Sequence, residues 1–154
     1  MALFDEAITA GGLLPVMDPP TWNSDPVRRA SIPGANAITN ARAVARIYGS
    51  LTLNGPRRFI SRRTLGDFCV EQSTGVDQVT GFTSRFAAGF MLPTAGNPMY
   101  SSSSFGHEGV GGAQGFADLG GGFGFGFVPN RLQQIAGGDA RVAALVDAIR
   151  RSRG

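Results

Sequence analysis

Gly122-Phe123-Gly124-Phe125-Gly126-Phe127-Val128 alternates glycine with phenylalanine at every step, and the reading of this stretch decides the fold. Successive side chains on a β-strand point to opposite faces, so a period of two puts three aromatic rings on one face and almost nothing on the other. A bare face invites close packing. Glycine permits the approach of a helix backbone that any side chain would block. The chain offers such a helix at its end, where Asp139 can cap a segment with Val142, Leu145, Val146 and Ile149 on one face. Arg141, Arg150 and Arg151 lie on its other face or near its C-terminus, where cations suit the helix dipole. The expectation is a glycine-faced sheet against this terminal helix.

Working outward, short segments punctuated by glycine at 84–92, 104–110 and 114–118 join 122–128 as candidate antiparallel strands. Upstream the period changes. Thr39 or Asn40 can cap a helix whose apolar face is Val44, Ile47, Tyr48 and Leu51, stopped by Asn54, Gly55 and Pro56. Ser61 caps a second, shorter helix with Leu65, Phe68 and Cys69 on one side, ending near Glu71. Residues 1–38, rich in Pro, Gly and small side chains, read as loop with a short opening helix at 2–10. The chain therefore divides into a loop-rich segment (1–38), two helices (39–72) and strands with a terminal helix (81–154), an α+β arrangement.

At 154 residues and 42% apolar content the composition is that of one globular domain, and no apolar run approaches the ~18 residues a membrane helix needs. Asp5 and Glu6 stand where a signal peptide carries positive charge, so the chain's own start predicts no leader and, by default, a cytoplasmic location. The net charge of +3 comes from fourteen arginines without one lysine. They occur mostly as scattered pairs, not interleaved with aromatics along a stripe, which argues against a nucleic-acid partner. Cys69 is the sole cysteine, so no internal disulfide can form.

Chemistry-bearing residues are few. His107 is the only histidine and lies in Phe105-Gly106-His107-Glu108-Gly109-Val110, where flanking glycines leave amide N–H groups unshielded for an anion or oxyanion. The plainer alternative is a tight hairpin with its histidine in solvent. Ser101 to Ser104 invite a local Ser-His pair, but a nucleophile needs an oriented base, and a flexible serine run supplies no such support. Gln114 stands where a dinucleotide fingerprint needs its last glycine, and a P-loop is impossible without lysine. No paired His or Cys cluster suits a metal, and no cofactor is expected.

Residues 22–36 (WNSDPVRRASIPGAN) with 39–48, and then 105–130 with SFGHEGVGG, GFAD and GFGFGFVPN, occur in an order that resembles the β-lactamase-related esterases. These are serine hydrolases akin to class C β-lactamases and penicillin-binding proteins. The resemblance implies a partial β-lactamase/transpeptidase-like fold, all within one incomplete domain. It also implies acyl-enzyme chemistry with a serine from S-x-x-K, a tyrosine from Y-x-N, and a K-T-G or H-x-G motif on the strand beside the serine. By that resemblance His107-Glu108-Gly109 is the third motif, with His107 in the lysine place, Glu108 turned away from substrate, and the Val110 N–H as second oxyanion donor. The first two motifs are absent from these 154 residues, so no nucleophile is assigned here. The implied picture is a C-terminal fragment of an ester hydrolase, inactive alone, whose complete form takes a small ester or β-lactam-like substrate. Histidine in place of lysine leans toward esters, because lysine suits the carboxylate of a β-lactam better. An N-terminal fragment or a second copy is the expected partner. The competing readings are a non-catalytic binding or assembly module and a degenerate gene product.

Overall fold

The computed structural model describes residues 18–34, 37–52, 58–133 and 138–154; the helix expected at 2–10 and the helix stop at 54–56 lie outside these. Contacts divide the chain into two compact units, Met1–Thr39 with Asp77–Gly81, and Asn40–Val76 with Phe82–Gly154.

In the first unit the segment expected to be loop carries two short helices, α1 (Pro19–Trp22) and α2 (Asp25–Arg29). Four or five residues are too few to show a helical period, so the signal lies in their starts. Asp18 accepts the Thr21 amide at 2.9 Å ahead of α1, and each helix has proline at its first or second position, where a missing N–H costs nothing. The segment 77–81 is a turn closed by Asp77, whose Oδ1 accepts the amides of Val79 (3.0 Å) and Thr80 (2.7 Å).

The second unit is built on antiparallel strands β1 (Glu71–Val76), β2 (Thr83–Ala87), β3 (Ser104–Glu108), β4 (Gln114–Asp118) and β5 (Phe123–Phe127). β1 pairs with β2, and β3, β4 and β5 lie in that order. Met91 joins the two groups as a one-residue bridge, exchanging both backbone bonds with Gly106 (2.7 and 3.0 Å) and facing Phe86 on its other side. The expected single strand over 84–92 is thus folded in two. Ala87 donates to the Phe90 carbonyl at 2.8 Å across a tight turn that needs Gly89 at φ +94°. β1 falls where helix and linker were expected. All six of its residues are exposed, so no alternating apolar pattern marks it, and its pairing comes from β2, including an Arg85–Glu71 ion pair at 2.6 Å.

Three helices accompany the strands: α3 (Ala41–Leu51), α4 (Arg62–Phe68) and α5 (Ala140–Arg153). Each is capped as its sequence suggests, by Asn40, Ser61 and Asp139 accepting amides of the first turn at 3.0, 3.0 and 2.8 Å. The strands pack against the terminal helix, but through the aromatic face and not the bare one. Phe116 and Phe125 stack at 4.8 Å and form a core with Met99, Val142 and Val146 of the α5 side. The glycine face belongs to α3. A Cβ on Gly124 would lie 2.1 Å from the Gly49 nitrogen and 2.3 Å from the Ala45 oxygen, and one on Gly126 2.3 Å from the Ala41 oxygen. The helix answers the bare strand with its own small residues, Ala41, Ala45 and Gly49, spaced one turn apart. That rotation corrects the expected apolar face of α3: Val44 and Tyr48 lie over Gly115, while Ile47 is turned out and 53% exposed. Large side chains define an amphipathic stripe, whereas close backbone approach selects small ones.

Candidate functional site

His107 is the fourth residue of β3, opposite Gly115 of β4. Strand alternation places it with Phe105 on the face that α3 covers further along, while Gly106 and Glu108 point to the α5 side. Its ring is exposed and held at two points. Nδ1 lies 2.6 Å from the carbonyl oxygen of Glu108, and the ring rests against Phe86 of β2 with centroids 6.2 Å apart.

Among the described residues the end of β3 is an open edge. Gly106 bonds to Met91, and the N–H and C=O of Glu108 point the same way two residues later, past the reach of that bridge. Gly109 turns back toward β4, donating to Ala113 at 2.7 Å, and Gly112 closes the turn onto the Gly109 carbonyl at 2.8 Å. Between them the half-buried Val110 has an amide with no acceptor among the described residues. The turn is fixed from below. Gly112 has φ +95°, and a Cβ there would sit 2.2 Å from the Asp139 carboxylate that caps α5. His107, Gly109 and the Val110 amide are thereby brought to one end of one strand.

Glu108 lies on the opposite face from His107 and is tied down. Its Oε2 accepts from Asn97 Nδ2 at 2.7 Å, and Asn97 Oδ1 accepts from Gln114 Nε2 at 3.0 Å. Asn97 and Gln114 are both buried. Sequence reasoning missed this relay because Asn97 reads as part of a Gly-Asn-Pro turn, and Gln114 was weighed only as the failed end of a nucleotide motif. A polar residue at an inward position of a five-residue strand was the one available signal.

The serine run is not the flexible connection expected. Asp118, buried at the far end of β4, gathers it: Oδ2 accepts from Ser101 (2.5 Å), Ser104 (2.7 Å) and Ser103 (3.3 Å), while Oδ1 accepts the Gly121 amide (2.5 Å). Burial pushes the Asp118 carboxyl up, but the hydroxyls of Ser101, Ser104 and Ser103 and the Gly121 amide outweigh it and hold it below the usual carboxylate range. These serines are therefore structural. Ser104 lies three positions before His107 along an extended strand, about 10 Å away. Among the described residues no group of three or more His, Cys, Asp or Glu could hold a metal, and no helix is long and apolar enough to cross a membrane.

Comparison with known proteins identifies the family. The family model described as Beta-lactamase matches residues 5–148. The Esterase/beta-lactamase LipL of Mycobacterium tuberculosis is 34% identical over 111 residues, which cover 70% of this chain and 25% of that protein. Among solved structures, a family VIII carboxylesterase aligns with a TM-score of 0.83 and 32% identity over 95% of this chain and 40% of its own. EstA from Arthrobacter nitroguajacolicus Rue61a aligns with a TM-score of 0.75 and 31% identity, covering 84% of this chain and 36% of that one. A penicillin-binding protein homologue from Caulobacter crescentus gives 0.78 and 31%, covering 96% and 40%. The chain thus spans a quarter of the curated relative and about two fifths of the solved ones.

Proposed function

The chain belongs to the β-lactamase family, and from that premise we propose that it forms one wall of the active site of a carboxylic ester hydrolase that works through an acyl-enzyme. The observation that carries this reading is the end of β3, where an exposed histidine and, in the turn that follows, an amide with no acceptor among the described residues come together. In that role the Val110 N–H binds the oxyanion of the tetrahedral intermediate, opposite a second N–H from the nucleophile's own backbone. His107 stands in the lysine place of the K-T-G motif and contacts the substrate or the serine and tyrosine network. A family VIII carboxylesterase and an esterase/β-lactamase among the relatives support hydrolysis of an ester or a lactam, and the histidine in the lysine place favours the ester.

The 154 residues contain no lysine and therefore no S-x-x-K, so the chain by itself has no activated serine. Loss of the nucleophile in a serine hydrolase costs roughly a million-fold in turnover. The chain alone is expected to leave a fluorophosphonate probe unreacted and short-chain p-nitrophenyl esters at the buffer rate. Stoichiometric labelling of one serine, abolished in His107→Ala, would mean that these residues build a complete site and would overturn the reading. Mixing with a chain that bears S-x-x-K and Y-x-N tests its positive half: labelling should appear on that chain's serine, and turnover should fall when His107→Ala is used.

A further inference from the structure

Deepening the role given above to His107, and resting on it, we infer that His107 is held as the Nδ1–H tautomer by the Glu108 carbonyl, with Asn97 and Gln114 as positioning residues that keep that carbonyl in place. A carbonyl oxygen only accepts, so at 2.6 Å the shared proton belongs to Nδ1. In the neutral ring Nε2 then carries a lone pair and no hydrogen.

The carbonyl is available because of the sheet's shape. On an inner strand it would bond to a neighbour, but Met91 reaches β3 only at Gly106, and among the described residues the strand edge beyond is open. An unpaired peptide at a strand end would ordinarily fray. Here the Glu108 side chain is anchored to Asn97 at 2.7 Å, and Asn97 to the buried Gln114 at 3.0 Å, directly across the β3–β4 ladder from Glu108. Asn97 is itself fixed in a turn, its amide donating to Thr94 Oγ1 at 3.1 Å and its carbonyl accepting the Thr94 amide at 3.1 Å. The relay runs on the face opposite the imidazole and acts on it only through the backbone.

The consequence concerns which substrates suit this wall. A neutral imidazole presenting Nε2 as acceptor pairs with a hydroxyl donor, on the substrate or in the serine and tyrosine network. It gives a carboxylate nothing to bond to. A lysine ammonium does the reverse, so the substitution changes the sign of the hydrogen bond offered, favouring uncharged esters over substrates with a carboxylate at that point.

His107 is the only histidine, so selective ¹⁵N-histidine labelling reports one ring. Magic-angle-spinning spectra of the full chain at about pH 9, where an ordinary imidazole is neutral, need no monomer. The expected result is a protonated Nδ1 and a bare Nε2 as the majority form. Asn97→Ala and Gln114→Met should each turn that form into the minority, while Glu108→Gln, whose amide oxygen still accepts from Asn97, should keep it. An Nε2–H ring in the parent chain overturns the tautomer, and an unchanged ring in both relay variants overturns their positioning role. If Asn97→Ala does not fold, Glu108→Ala against Glu108→Gln makes the same comparison. Failure here is separable from failure of the proposed function: fluorophosphonate labelling of the chain alone would sink that function without altering the ring nitrogens.

Discussion

Asp118 shows how a single side chain can turn a suspicious motif into scaffold. Four serines in a row beside a histidine look like chemistry, yet three of their hydroxyls end on one buried carboxylate oxygen. Asp118→Asn would set an amide NH2 against either the Gly121 N–H or the serine hydroxyls, leaving at least one donor unmatched, and should cost about 1–3 kcal/mol. Urea unfolding at pH 7 checks this. Because the folded carboxyl titrates below its ordinary value, its contribution is complete above the unfolded pKa of about 3.9 and fades as pH falls through the lower folded value. The gap between parent and variant should therefore narrow on the acid side and stay constant from about pH 5 to about pH 7. A gap unchanged down to pH 2 or so would show that the serines do not depend on the charge.

At the scale of elements the strand-helix contact carries the argument. Gly124→Ala places a methyl where the α3 backbone already lies 2.1 Å away, so helix and strand must part, at a cost of about 1–3 kcal/mol. Gly66→Ala is the control: it lies inside α4 with nothing within 4 Å, and should stabilise by about 0.5–1 kcal/mol through helix propensity alone. Chemical denaturation of the two variants should therefore move in opposite directions. The same contact explains how much could be read in advance. Three of the four expected strands and all three longer helices are present near their predicted places, because alternation and capping are local signals. Which helix takes which face is not local. The Gly-Phe alternation announces two unlike faces, but choosing between α3 and α5 required noticing that Ala41, Ala45 and Gly49 form a small-residue row matched to a bare strand. β1 left no trace because a strand exposed at every residue imposes no apolar period. Of the proposed site, His107, Gly109 and Val110 are named by glycine spacing and resemblance alone, whereas the Asn97–Gln114 contact depends on a turn and a strand meeting in space.

The whole molecule is best understood through its edges. Within the second unit β5 pairs with β4 alone among the described residues, and β4's bonding pattern turns the amides of Gly124 and Gly126 toward the unpaired side. The apolar side chain that follows the strand, Val128, is 41% exposed. An unpaired strand with adjoining apolar surface templates association, and natural sheets blunt such edges with charge, proline or a bulge. None of these interrupts Phe123–Phe127. The chain alone should therefore self-associate, and its stability should depend on its concentration, because assembly adds to folding by mass action. Light scattering is expected to show species above the monomer, and calorimetry a melting temperature that rises as protein concentration is raised. Supplying a chain with the missing motifs should replace these species by a single heteromeric one with a higher melting temperature. A monodisperse monomer with a sharp melt at the same temperature over a hundred-fold range of concentration, roughly the span that mass action would render visible, would mean that the β5 edge is already covered.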